Sequence, residues 1–232
     1  MPRSSSHPSA VKLLVLPAKQ ERSRQTRDRL LATGRKLLDK GVFEDAPVAA
    51  LARQSGCSVG SFYFRFPDKQ AFYEAVMAAV EEEVAARVQQ RVNETSVAGL
   101  SAARTVEACV DVLIDLMDDY QGMVRTVQYK GMTHRPSILP LQRMGQRLVS
   151  YLSGLIQAKY GERDNPMFAR NIAVGFQVAF SMMQISLMNK PPVLHPQSPD
   201  YRFWVKEMMM HALSVKGVPT AEAPRARQGR AA

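Results

Sequence analysis

The run from Val48 to Lys69, VAALARQSGCSVGSFYFRFPDK, constrains this chain more than any other stretch. Val48, Leu51 and Ala52 recur at i, i+3 and i+4, which gives a short helix one buried face. Gly56 supplies the positive φ of a sharp turn. Cys57 follows as a small apolar filler, and Ser58 is a natural cap for a second helix. In that helix Phe62 and Phe66, four residues apart, point one way into a core. Val59, Gly60, Ser61, Tyr63 and Arg65 are left facing outward. A helix, a tight turn and a second helix with a small, polar start are the parts of a helix-turn-helix, which lays one helix in the DNA major groove.

The flanks extend the pattern. Leu30, Gly34, Leu37 and Leu38 recur at helical spacing, and Gly41 ends that helix. Pro47 suits the first position of the next helix, with Asp45 as the alternative cap. Asp68 is an N-cap for a long helix through Phe72, Val76, Val80 and Val84. In Arg27, Leu30 to Leu38, Gly41, Val48-x-x-Leu51-Ala52, Ser55 to Tyr63, Phe66 and Lys69, the chain resembles the N-terminal domain of the tetracycline-repressor (TetR) family. It departs from the family at Arg65, where His is frequent, and at Ala46-Pro47, where Thr or Ser is frequent. The resemblance implies an all-α protein. A three-helix DNA-binding domain would precede a C-terminal helical bundle, and two copies would pair through their last two long helices.

Charge is unevenly spread. Residues 1–29 carry seven Lys/Arg against two acids, residues 30–89 seven against eight, residues 90–216 fourteen against ten, and residues 217–232 three against one. Most of the net +10 therefore lies in the two tails. Either the tails aid solubility, or Lys12, Lys19, Arg22, Arg24, Arg27 and Arg29 reach phosphates or a minor groove. Cys57 and Cys109 make no disulfide framework and have no metal-ligand spacing. His7, His134, His195 and His211 form no close pair, so neither a metal site nor a cofactor is expected. No phosphate-binding loop, nucleophile elbow or catalytic carboxylate pair is legible. The apolar run Val11 to Leu16 is interrupted by Lys12 and is too short for a signal-peptide core. Ile172 to Met188 contains Gln177, Ser181, Gln184 and Ser186, which suits a bundle helix better than a membrane span. The chain is expected in the cytoplasm with the nucleoid, away from membranes.

The expected organisation is a disordered basic arm at 1–22, a helix-turn-helix domain at 23–72, a helical ligand-binding and dimerisation domain at 73–216, and a disordered tail at 217–232. Glu81-Glu82-Glu83 reads as a solvated stripe. Later helices are expected over Thr105 to Tyr120, Gly122 to His134, Ile138 to Tyr160, Asn165-Pro166 to Met188, and from Asp200 to about Val215. Gly161 closes the third of these, and a Pro-punctuated loop runs from Lys190 to Pro199.

The residues expected at DNA are Ser58, Val59, Gly60, Ser61, Tyr63, Phe64, Arg65 and Lys69. Gly60 allows close backbone approach, while Val59 and Ser61 touch base edges. Tyr63, Arg65 and Lys69 hold phosphates, a role the family pattern also implies for Tyr63 and Lys69. Thirteen methionines are adaptable apolar groups suited to an apolar or amphipathic ligand, and equally to an irregular core. Met117, Met123, Met144, Met183 and Phe180, with the polar Gln128, His134 and Gln177, are the candidate pocket lining. Val174, Val178, Met182, Ile185, Phe203, Trp204 and Met208 are the candidate dimer surface. The function expected is a regulator, most simply a repressor that a small-molecule effector releases from a palindromic or near-palindromic double-stranded operator. A dimeric DNA-binding protein without an effector is the alternative. An enzyme is not expected.

Overall fold

The computed structural model describes residues 10–161, 165–189, 198 and 200–214. Among them the elements are all helical: α1 (Ala10–Asp39), α2 (Val48–Gln54), α3 (Val59–Tyr63), α4 (Lys69–Glu94), α5 (Ala102–Asp119), α6 (Gln121–Thr133), α7 (Leu139–Tyr160), α8 (Pro166–Asn189) and α9 (Tyr201–Ser214). Short 3-10 turns at Val97–Gly99 and Arg135–Ile138 precede α5 and α7. The second of these turns is an element that apolar periodicity does not predict. It forms where Pro136 interrupts the helical run, and Ser137 N then donates to the His134 carbonyl at 3.0 Å.

At the N-terminus α1 already runs through residues 10–22, the stretch expected as a basic arm. From residue 21 onward, helical-spacing pairs support it: Gln25 donates to Glu21 at 3.1 Å, and Thr26 Oγ1 to the Arg22 carbonyl at 2.9 Å. Residues 1–9, 190–197 and 215–232, which include most of the expected Pro-rich loop and the whole tail, lie outside the described residues.

The chain divides into two compact units, Met1–Arg87 with Asp118–Gly145, and Val88–Met117 with Gln146–Ala232. The first unit is built on an aromatic cluster centred on Phe72 of α4, which is fully buried. Its ring centroid lies 5.1 Å from Phe62, 5.0 Å from Phe66 and 5.9 Å from Phe43. Such offset and edge contacts add to the burial of four large rings. Leu30, Leu38, Leu51 and Ala52 from α1 and α2 complete this core, and Val76, Met77 and Val80 continue it along α4. Gly34 lets α1 and α4 approach closely: a Cβ there would lie 2.6 Å from Val76 Cγ2 and 2.8 Å from Phe72 Cζ. The buried face of α6, Met123, Val124 and Val127, belongs to this unit, and α6 packs against α1.

A sequence cut after residue 72 would separate α6 from the helices it packs on. The acidic run is also less uniform than expected. Glu83 accepts a hydrogen bond from the Tyr120 hydroxyl at 2.9 Å and pairs with Arg87 at 3.3 Å.

The second unit buries Val106, Cys109, Val110 and Leu113 of α5 with Leu152 and Ile156 of α7 and Ile172, Phe176 and Met183 of α8. α8 packs closely on α9, where Gly175 faces Met209 and Ala212. Asn165 Oδ1 caps α8 by accepting from Met167 N at 3.0 Å and Phe168 N at 3.2 Å. Arg202 and Lys206 of α9 pair with Asp111 of α5, at 3.3 and 2.7 Å, and Arg202 also pairs with Asp115. By length and composition α8 is apolar enough to cross a membrane. Its buried side faces this unit's core, while Val174, Val178 and Ile185 are exposed.

Candidate nucleic-acid interface

The helix-turn-helix forms from local chemistry. Pro47, with extended backbone (φ −68°, ψ 151°), is the N-cap of α2 rather than its first residue, so the helix starts one residue later than expected, and no side chain caps it. The Pro47 carbonyl accepts from Ala50 N at 2.9 Å and Leu51 N at 3.1 Å, so the helix starts on backbone bonds alone. At its other end Ser55 Oγ donates to the Leu51 carbonyl at 2.8 Å, and Gly56 turns the chain at φ +66°. Cys57 is half-buried rather than fully buried. Ser58 Oγ accepts from Ser61 N at 3.1 Å and so caps α3.

Phe62 is fully buried and Phe66 nearly so, which turns the opposite edge of α3 to solvent. On that edge Val59 is 41%, Tyr63 51% and Phe64 83% exposed. A Cβ at Gly60 would meet nothing nearer than Ser58 Oγ at 3.9 Å. Internal packing therefore does not require glycine there. Ser61 is half-buried, and the Tyr63 ring leans edge-on against Phe62 with centroids 5.4 Å apart.

Two of the expected phosphate contacts are engaged within the protein. Arg65 Nη1 donates to the Ser61 carbonyl at 2.7 Å, and Nη2 donates to Ser23 Oγ at 3.1 Å. Lys69 Nζ donates to the Glu44 carbonyl at 2.6 Å and lies 5.3 Å from the Phe43 ring centroid. Burial lowers the pKa of Lys69, with the Lys130 charge contributing in the same direction. Neither partner was legible in the sequence, because Ser23 and Glu44 lie on other elements.

The candidate pocket residues are divided between the two units. Met123 and Gln128 are buried in the first unit, Met144 is half-buried, and His134 is exposed with Nδ1 2.8 Å from Ser137 Oγ. Met183 is buried in the second unit, Met117 and Phe180 are half-buried, and Gln177 is exposed, its amide 3.3 Å from Ser181 Oγ one turn on. His134 and Gln177 thus lie at the surface of their respective units, while Gln128 is buried. The candidate dimer residues form an exposed apolar face on α8 and α9: Val174 50%, Ile185 54%, Phe203 54% and Trp204 47%, with Val178 also exposed and Met182 and Met208 half-buried.

A capped five-residue helix presented by a buried aromatic cluster, ahead of a remainder that is helical among the described residues, defines a helix-turn-helix fold. Residues 30–76 match the sequence model described as bacterial regulatory proteins, tetR family. The chain thus carries the TetR-family DNA-binding domain, and its fold is that of a TetR-family transcriptional regulator. A TetR-family regulator from Mesorhizobium loti MAFF303099 aligns with a TM-score of 0.65 at 12% identity, over 85% of this chain and 99% of its own. One from Rhodococcus sp. aligns at 0.61 and 16% identity, over 82% and 99%. The regulator RolR, solved in complex with resorcinol, aligns at 0.53 and 16% identity, over 85% and 91%. At these identities the likeness is one of fold. No curated protein matches the chain.

Proposed function

We propose that this protein is a homodimeric, cytoplasmic transcriptional repressor that binds a palindromic or near-palindromic operator and is released from it by a small apolar or amphipathic effector. The observation that carries the reading is the outer edge of α3, where a Ser58-capped helix turns Val59, Tyr63 and Phe64 to solvent beside Gly60. A soluble domain has no internal use for those groups in that position. The apolar face of α8 and α9 supports pairing of two copies, since Val174, Val178, Ile185, Phe203 and Trp204 all stand exposed on these two packed helices. An isologous pair presents two equal heads and so reads a twofold site. The resorcinol complex of RolR supports an aromatic or similarly amphipathic effector for a protein of this fold.

An effector acts only through its unequal affinity for operator-bound and free conformations. The helix that follows the helix-turn-helix, α4, continues into the second compact unit and is the covalent route for that coupling. The test is selection of binding sites from randomised duplex DNA, followed by titration of the recovered duplex with and without a panel of phenols and fatty acids. Recovery of symmetric sites, and their release by one compound class, is expected. Recovery of no enriched duplex would reject the reading.

A further inference from the structure

We infer that Arg65 is a positioning residue, a clamp that joins the end of α3 to Ser23 of α1 and sets how α3 is presented to DNA, rather than a phosphate ligand. The inference rests on the proposed DNA binding, but its central observation does not.

A guanidinium is a flat fork whose two terminal nitrogens reach acceptors in a fixed geometry. In Arg65 both are occupied. Nη1 donates to the Ser61 carbonyl at 2.7 Å, and Nη2 donates to Ser23 Oγ at 3.1 Å, with the Ser23 carbonyl at 3.5 Å. Its Nε is buried without a partner, so the group is held inward at some cost in desolvation. To grip a phosphate, Arg65 would have to give up contacts that span 42 residues of sequence.

The clamp has a clear mechanical use. α3 is five residues long, too short to hold its own orientation. Phe62 and Phe66 anchor its inner side, and Arg65 is the side-chain tie from its end to α1. Ser23 and Arg27 stand one helical turn apart on the same face of α1. Fixing Ser23 to α3 therefore also fixes the exposed Arg27 relative to α3. Arg27 is therefore an exposed cation on the tied face of α1 and the one to test as a phosphate contact.

The test uses the full-length protein, the duplex recovered by selection, and the variants Arg65→Lys, Ser23→Ala, their combination, and Arg27→Ala. A lysine keeps the charge and the reach to a phosphate, but its single nitrogen does not span both acceptors. Arg65→Lys is expected to weaken binding roughly tenfold and Ser23→Ala less, with the double variant no weaker than Arg65→Lys, because both remove one contact. The salt dependence should be unchanged in all three, and shallower by about 0.9 per lost contact in Arg27→Ala. Without DNA, hydrogen exchange of the amides in residues 58–66 should quicken in both Arg65→Lys and Ser23→Ala. Wild-type binding by Arg65→Lys, or a shallower salt dependence in it, would overturn the clamp. So would unchanged exchange in residues 58–66, a readout that decides the matter even if the wild type binds no DNA and the functional reading itself fails.

Discussion

Lys130 of α6 donates to the Glu44 carboxylate at 2.5 Å, and the same ammonium lies 4.3 Å from the centroid of the Tyr73 ring. Glu44 precedes α2, and its carbonyl accepts from Lys69 at the start of α4. One residue ahead of the helix-turn-helix thus engages lysines from two other helices. The Lys130 side chain is 14% exposed while that of Glu44 is 52% exposed, so solvent screens the ion pair and limits it to about 0.5–1 kcal/mol. The ring contact adds roughly as much again. Lys130→Met is therefore expected to destabilise more than Glu44→Gln, with a coupling between them of about 0.5–1 kcal/mol in a urea-denaturation cycle. Equal losses from the two single variants would show that the Tyr73 contact contributes nothing.

Gly34 offers a case where helix propensity and packing oppose each other. Alanine is better than glycine in a helix by about 1 kcal/mol. Its Cβ, however, would lie 2.6 Å from a methyl of Val76, a stiff β-branched side chain that cannot swing aside. Overpacking of this kind costs about 1–3 kcal/mol. Gly34→Ala should therefore lower the melting temperature despite its propensity gain. Adding Val76→Ala should recover part of the loss, because the obstructing methyl is then gone. A melting temperature raised by Gly34→Ala alone would refute the packing argument.

The helix-turn-helix was legible because its determinants are local: the positive φ at Gly56, the cap at Ser58, and the four-residue spacing of Phe62 and Phe66. What lay hidden was which distant group each outward polar side chain finds. Arg65 and Lys69 stand where periodicity puts solvent, yet they reach Ser23 and Glu44 on other elements. Periodicity gives a side chain its direction on its own helix and says nothing of its partner. In the same way, the periodicity of α6 does not reveal that its buried face packs with α1 in the first unit. Pro47 suits either the N-cap or the first helical position, so its identity alone does not decide whether Pro47 or Val48 begins α2.

Stability should fall at alkaline pH for identifiable reasons. Burial raises the pKa of Tyr73 above the usual tyrosine range, and it pushes both Tyr120 and the Cys109 thiol up to about 12. All three are neutral when protonated, so the folded state keeps its protons to higher pH than the unfolded chain does. Their contribution is intact below the unfolded values of 9.0 for Cys and 10.0 for Tyr, and is lost as pH rises from there toward 12. Lys69 works the other way: its lowered pKa means the unfolded chain binds the proton more tightly, so its contribution grows as pH rises. Three groups outweigh one. Denaturation midpoints should decline between pH 9 and 11, and Cys109→Ala should make that decline shallower. An unchanged slope in Cys109→Ala would show that the thiol is not held neutral by the fold.

The exposed face of α8 and α9 predicts an outcome in solution. Ile185→Lys and Phe203→Ser replace groups that are each 54% exposed, so the fold should tolerate them with losses within about 0.5 kcal/mol. If the proposed dimer uses this face, both variants should sediment as monomer at concentrations where the wild type sediments as dimer, because a charge or lost ring at the centre of an interface costs several kcal/mol. A variant that remains fully dimeric would move the interface elsewhere.

Base reading and backbone gripping should separate at α3. Val59 carries two methyls at 41% exposure and suits a thymine methyl, while Ser61 offers a hydroxyl that either donates or accepts. Val59→Thr and Ser61→Ala should therefore change which duplexes selection recovers, at positions repeated in both halves of a twofold site. Tyr63 is 51% exposed with its ring braced on Phe62, a placement suited to a phosphate oxygen. Tyr63→Phe removes one hydroxyl and nothing else, so it should weaken all duplexes alike, by roughly the 0.5–1.5 kcal/mol of a single hydrogen bond. Selection run in parallel on the three variants distinguishes the roles. The same recovered sequence from Val59→Thr, Ser61→Ala and the wild type would remove both residues from base reading and leave specificity to DNA shape.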